Sequence, residues 1–121
     1  MKLLPDASNR HSITGYGPGW VSVNGERFTS SLYISPQKGT SIWQCPGFDG
    51  LSAEHFDVFA DMQPELIVFG SGDRIRFPHP RCLQNLYRLR IGVETMDTQA
   101  ACRTFNFLAG EGRRVIAALL V

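Results

Sequence analysis

Residues 115–121 read Val-Ile-Ala-Ala-Leu-Leu-Val, with no polar side chain on either alternating face. A strand that is apolar at both odd and even positions has to be covered on both sides, so this one belongs inside a sheet with a layer on each face. Glu65-Leu66-Ile67-Val68-Phe69 is a second run of this kind, ended by Gly70-Ser71-Gly72. Ile91-Gly92-Val93-Glu94-Thr95 reads as a third strand. Between them the pattern becomes helical. One helix is expected to start near Pro80 and to carry Leu83, Leu86, Tyr87 and Leu89. Another starts at Asp97 and runs to about Ala109. Strand, helix, strand, helix, strand predicts an α/β layered domain.

The preceding part of the chain is different. Residues 1–12 are polar and are expected to form a flexible N-terminus, with the domain occupying 13–121. Ile13 to Phe28 reads as short strands broken by turns, with Gly15-Tyr16-Gly17-Pro18-Gly19 as a turn-rich stretch. Asn24-Gly25 supplies two residues that tolerate positive φ, as a type I′ hairpin turn requires. Leu32-Tyr33-Ile34 and Ile42-Trp43 are the next strands. Ser52 then caps a helix through Phe56, Phe59 and Met62, closed by Pro64. These hairpins predict a mixed sheet, with an antiparallel β unit opening the domain.

At 121 residues, with 43% apolar and 19% charged side chains, the chain has material for one core and one domain. Its net charge of +1 gives no bulk attraction to nucleic acid or membranes. The longest apolar run, 115–121, falls far short of the roughly 20 residues that span a bilayer. One positive charge and two leucines before Pro5 make no secretory signal, so a soluble, unprocessed chain is expected. Cys45, Cys82 and Cys102 are odd in number and far apart, which predicts free thiols in a reducing cytoplasm and no zinc site. No cofactor or metal set is read from the residues.

Several features can carry chemistry, each with a plain structural use beside it. The turn Gly70-Ser71-Gly72 can admit a ligand beyond a strand end, or can simply be a tight turn. It matches neither a P-loop nor a dinucleotide fingerprint nor a nucleophile elbow. Asp97 fits an N-cap, accepting from Gln99 or Ala100, with Thr98 beginning the helix. Gln99, Arg103, Asn106 and Gly110 share one helix face; Arg103 and Asn106 can clamp an anion or a partner's carbonyls, or Arg103 can pair with Glu111 on a solvated face. A topological argument brings Arg103 and Asn106 toward residues 70–72 as one polar site, because parallel strands end on the same sheet edge. Arg74, Arg76, Arg81, Arg88 and Arg90, with His79 among them, form a local basic patch that suits an acidic protein surface or RNA. Aromatic interleaving is thin there, which disfavours nucleic acid. Cys102 lies where a helix dipole lowers a thiol pKa, but no histidine is placed beside it, and packing explains it equally. Tyr16, Trp20 and Trp43 fit either core or interface.

Ile13-Thr14-Gly15-Tyr16-Gly17, Asn24-Gly25, 65–72, Glu94-Thr95-Met96-Asp97-Thr98, 100–106 and Glu111-Gly112-Arg113-Arg114-Val115 together resemble one family over roughly residues 12–121. It is the small α/β domain family of mostly uncharacterised archaeal and bacterial proteins that includes the mitochondrial NADH:ubiquinone oxidoreductase complex assembly factor 3. The resemblance implies a three-layer β/α fold around a mixed sheet and no catalytic residue. Residues and resemblance together predict a non-enzymatic protein-binding or assembly-accessory domain with a protein partner. The alternative is a small-anion or nucleotide-like ligand binder using residues 70–72 with Arg103 and Asn106. Nucleic-acid binding through the arginines ranks third.

Overall fold

The computed structural model of the chain describes residues 11–121. Most of the expected flexible N-terminus therefore lies outside the described residues. His11 and Ser12 are tied down: the His11 N–H donates to the Pro36 carbonyl at 3.0 Å, and the Ser12 N–H to Asn24 Oδ1 at 3.0 Å.

Three strands, β1 (Ile13–Gly17), β2 (Trp20–Val23) and β3 (Glu26–Phe28), form a small antiparallel sheet. Asn24 and Gly25 turn the β2–β3 hairpin at φ 50° and 87°, the conformation the pair predicts. A second sheet holds β4 (Leu32–Ser35), β5 (Gly39–Ile42), β6 (Leu66–Gly70), β7 (Gly92–Met96) and β8 (Val115–Leu119), in the order β5-β4-β8-β6-β7. β6 runs parallel to both β7 and β8, while β4 is antiparallel to β8, so the sheet is mixed as expected. The helices are α1 (Ala53–Asp57), α2 (Gln84–Arg88) and α3 (Thr98–Gly110).

β8 takes the central position that its composition demands. Val115, Ala117 and Leu119 join one core with Val68, with Ala101, Cys102 and Phe105 of α3, and with Ile13, Val21 and Val23 of the small sheet. Ile116, Ala118 and Leu120 join the other, with Ile67, Phe69, Trp43, Phe56, Phe59 and Leu86. The period-two alternation of a strand thus separates two cores across one sheet, which makes three layers. The second core is aromatic: Trp43, Phe56 and Phe69 meet edge to face at centroid distances of 5.4–6.0 Å. Cys102 and Cys82 lie in different cores on opposite sides of the sheet, and all three cysteines are free thiols. Among the described residues no helix is long and apolar enough to cross a membrane.

Some expected boundaries move. The strand expected through Trp43 ends at Ile42, and Trp43 turns inward to donate its indole N–H to the His55 carbonyl at 3.0 Å. The turn-rich stretch at 15–19 is strand as far as Gly17. The helix after Ser52 breaks into α1 and a 3₁₀ turn, Ala60–Met62, yet Phe56 and Phe59 both stay buried. The helix near Pro80 splits into a 3₁₀ turn, Pro80–Cys82, and α2. Leu83 and Leu86 are buried as expected, but Tyr87 and Leu89 are half exposed. The helix also ends early, leaving Leu89 beyond it. Arg90 takes φ 64°, its N–H donates to the Tyr87 carbonyl, and the Ile91 N–H donates to Leu86, which is a Schellman ending with arginine where glycine is usual.

Candidate functional site

β6 ends in a turn whose polar groups are spent on the fold. Ser71 is fully buried. Its hydroxyl donates to the Arg74 carbonyl at 2.7 Å and accepts the Arg76 N–H at 2.9 Å, closing the loop between them. The Ser71 carbonyl accepts two guanidinium bonds from Arg76, at 3.2 and 2.7 Å, and the same guanidinium lies 4.6 Å from the Phe48 ring centre. Thr98, the first residue of α3, donates its N–H to the Gly72 carbonyl at 2.8 Å. The Thr98 hydroxyl accepts the Gly72 N–H at 2.8 Å and donates to the Leu120 carbonyl at 2.7 Å. Leu120 in turn donates its N–H to Gly70, and Ser71 donates its N–H to Met96. These bonds knot together the ends of β6, β7 and β8. Gly70 is required here because a Cβ would sit 2.9 Å from the Thr98 Cα, and backbone cannot yield as a flexible side chain can.

The start of α3 does sit beside residues 70–72, as parallel strand ends predict. Asp97 caps it, accepting the Ala100 N–H at 2.9 Å. Asp97→Ala is expected to lower stability by about 0.5–2 kcal/mol, the usual range for a lost acidic cap. A urea titration showing no change would mean the cap contributes nothing here.

The polar stripe of α3 faces the small sheet. Arg103 Nη1 donates to the Tyr16 hydroxyl at 3.1 Å, with its guanidinium 5.9 Å from the ring centre. Asn106 brackets Ile13, accepting its N–H at 2.9 Å and donating to its carbonyl at 2.7 Å. The expectation that Asn106 converges on residues 70–72 is therefore corrected, while Arg103 lines one cleft with Gly72. Asn106 is nine residues beyond Asp97, about 13 Å at 1.5 Å per residue, and β1 takes both of its amide groups. Nor does Arg103 pair with Glu111; among the described residues the ion pair is Arg113 with Glu65. The Cys102 thiol is not activated either. Burial pushes it up to about 12, which outweighs the opposing influence of the Arg103 charge.

An open cleft of about 1070 Å³ lies between the small sheet, the loop at 45–48 and the start of α3. Of the candidate binding residues, Gly72, Asp97, Thr98 and Arg103 line it, and Tyr16, also singled out in the sequence, joins them. Gly70 and Ser71 are buried behind it, and Asn106 is not on its wall. Trp20, Phe48 and Arg76 also line it and were not foreseen as one site. No local spacing links them; Trp20 begins β2 and Phe48 begins a 3₁₀ turn, Phe48–Gly50, and only the folded topology brings the two together. The remaining arginines of the patch, Arg74, Arg81, Arg88 and Arg90, are exposed.

A family model described as Protein of unknown function (DUF498/DUF598) matches residues 13–120, and the chain belongs to that family. A Bos taurus protein named NADH dehydrogenase (ubiquinone) 1 alpha subcomplex assembly factor 3 is 36% identical over 110 residues, which cover 89% of this chain and 59% of the bovine protein. The chain thus spans about three-fifths of that relative's length. An uncharacterized Rhodobacter capsulatus protein is 38% identical over 109 residues, covering 89% of this chain and 82% of its own length. The crystal structure of a Bordetella parapertussis protein shares the fold with a TM-score of 0.88 at 36% identity, covering 94% of this chain and 98% of that one.

Proposed function

We propose that the chain is a non-enzymatic protein-binding domain that assists assembly of a respiratory NADH dehydrogenase, acts in the cytoplasm, and docks a protein partner at the cleft lined by Gly72, Asp97, Thr98 and Arg103. The observation that carries this reading is the bovine relative, named as an assembly factor, which matches 89% of this chain at 36% identity. The chemistry of the site agrees with it. The Ser71 hydroxyl and the Thr98 hydroxyl are both engaged by backbone, and the Cys102 thiol is buried with a pKa pushed far above neutrality. Side chains held in this way give a rigid wall to dock against and leave no primed nucleophile. Gly70, Ser71 and Asn106 serve this reading as supports that hold the wall in place. The three free thiols fit a reducing compartment.

Deleting the gene in the source organism should reduce fully assembled NADH dehydrogenase on a native gel, and the wild-type gene should restore it. Arg103→Ala, a substitution at an exposed position whose melting temperature should stay close to that of the wild type, should fail to restore it. Normal assembly in the deletion strain overturns the assembly role. Full rescue by Arg103→Ala overturns the cleft as the docking face.

A further inference from the structure

The outer edge of β7 lies open beside an apolar groove. Among the described residues β7 is the last strand of its sheet, paired to β6 alone. The register fixes which backbone groups are used. The Gly92 N–H donates to Glu65, and the Met96 carbonyl accepts from Ser71. In a parallel ladder alternate residues bond to the same neighbour, so Gly92, Glu94 and Met96 face β6. Val93 and Thr95 then direct their N–H and C=O groups outward, to the unpaired edge. Against that edge runs a groove of about 700 Å³ whose wall is mainly apolar, from Phe77, Pro78, Leu83, Tyr87 and Val93, and also carries His79 and one acid, Glu94. Phe77 is 71% exposed and Tyr87 52%, a large apolar surface to leave in water. No residue lines both this groove and the cleft.

We propose that the β7 edge is a second binding site, which takes an extended acidic segment of a partner protein as an added strand. Main-chain bonds to Val93 and Thr95 would hold the segment, and alternate apolar side chains would pack on Phe77, Leu83 and Tyr87. The balance of charge around the groove selects the occupant. Arg81 follows Pro80 of the wall, Arg88 follows Tyr87, and Arg90 lies just ahead of β7, three exposed cations in the flanks of the groove against one exposed acid, Glu94, on its wall. Among the described residues none of these arginines is in an ion pair, since that role belongs to Arg113 and Glu65. A second copy of the chain fits less well. The antiparallel register that engages Val93 and Thr95 of both copies sets Glu94 opposite Glu94, and like charges directly opposed are destabilising.

The test selects from a random-peptide display library on the immobilised full chain. Enriched peptides should alternate apolar residues with Asp or Glu at their ends, and should slow amide exchange at Val93 and Thr95. Thr95→Pro deletes an outward N–H without touching the β6 ladder, and should weaken binding by about tenfold or more. Phe77→Ser, at an exposed position, should weaken it similarly and reports even if the proline variant fails to fold. Enrichment of basic peptides, no enrichment, or binding that survives Phe77→Ser overturns the proposal. A concentration-dependent dimer in sedimentation that Phe77→Ser abolishes also overturns it, in favour of self-association.

Discussion

Phe69→Ala is expected to destabilise the domain by about 3–5 kcal/mol, the range for truncating a fully buried phenylalanine. Phe69 is wholly inaccessible to solvent and sits at the meeting point of Trp43 and Phe56, with ring centres at 6.0 and 5.4 Å. Removing it deletes two edge-to-face contacts and leaves a void between β6 and α1. The surrounding groups have little freedom to fill that void. Trp43 is pinned by its bond to the His55 carbonyl, and β6 is paired on both edges. A domain of this size has about 5–15 kcal/mol in total, so the loss is a large share. Urea unfolding followed by tryptophan fluorescence should show the midpoint falling by about 2 M, for a slope of about 1–3 kcal/mol/M. Phe77→Ala makes the same chemical change at an exposed position and should move the midpoint little. Equal shifts for the two variants would mean that the aromatic core is not where the stability lies.

That contrast shows what the sequence can carry. β8 was legible because a strand apolar on both faces needs burial whatever its neighbours are. The Asn24-Gly25 turn and the Asp97 cap were legible because each is a local geometry satisfied within a few residues. The family resemblance carried the three layers. Leu89 was misread because its spacing fits a longer helix, and the ending at Arg90 uses arginine in a conformation that usually announces itself by glycine. The α3 stripe was read correctly as a face, since Arg103 and Asn106 do point the same way. What that face meets was not legible. Ile13 and Tyr16 lie 93 and 87 residues away, and helical periodicity carries no information about partners at that distance. The burial of Ser71 was hidden for the same reason, since a Gly-Ser-Gly turn reads alike whether solvent or another strand end lies over it.

Thr98→Val is expected to cost about 2–4 kcal/mol, although the two side chains have nearly the same shape. The threonine hydroxyl accepts the Gly72 N–H and donates to the Leu120 carbonyl, at 2.8 and 2.7 Å, and the side chain is only 8% exposed. Valine fills the space and answers neither group. Each buried polar group left without a partner costs about 1–3 kcal/mol, so two orphans outweigh any gain from the added methyl. Water has poor access, because the contact that requires glycine at position 70 closes the same space from the other side. Thr98→Ser keeps the hydroxyl and should cost much less, which separates lost hydrogen bonding from lost volume. The effect should also be local before it is global. Amide exchange at Gly72 should accelerate more than exchange in β8, because the turn loses the side-chain acceptor for that N–H while the β8 ladder to β4 and β6 is untouched. If Thr98→Val matches the wild type in stability, the knot is dispensable. If it is destabilised but Gly72 exchanges no faster, the hydroxyl acts through β8 and not through the turn. The outcome bears on docking as well. Asp97 and Arg103 are held at the cleft by α3, and α3 is fastened to the sheet at its first residue by this one hydroxyl and the adjacent N–H.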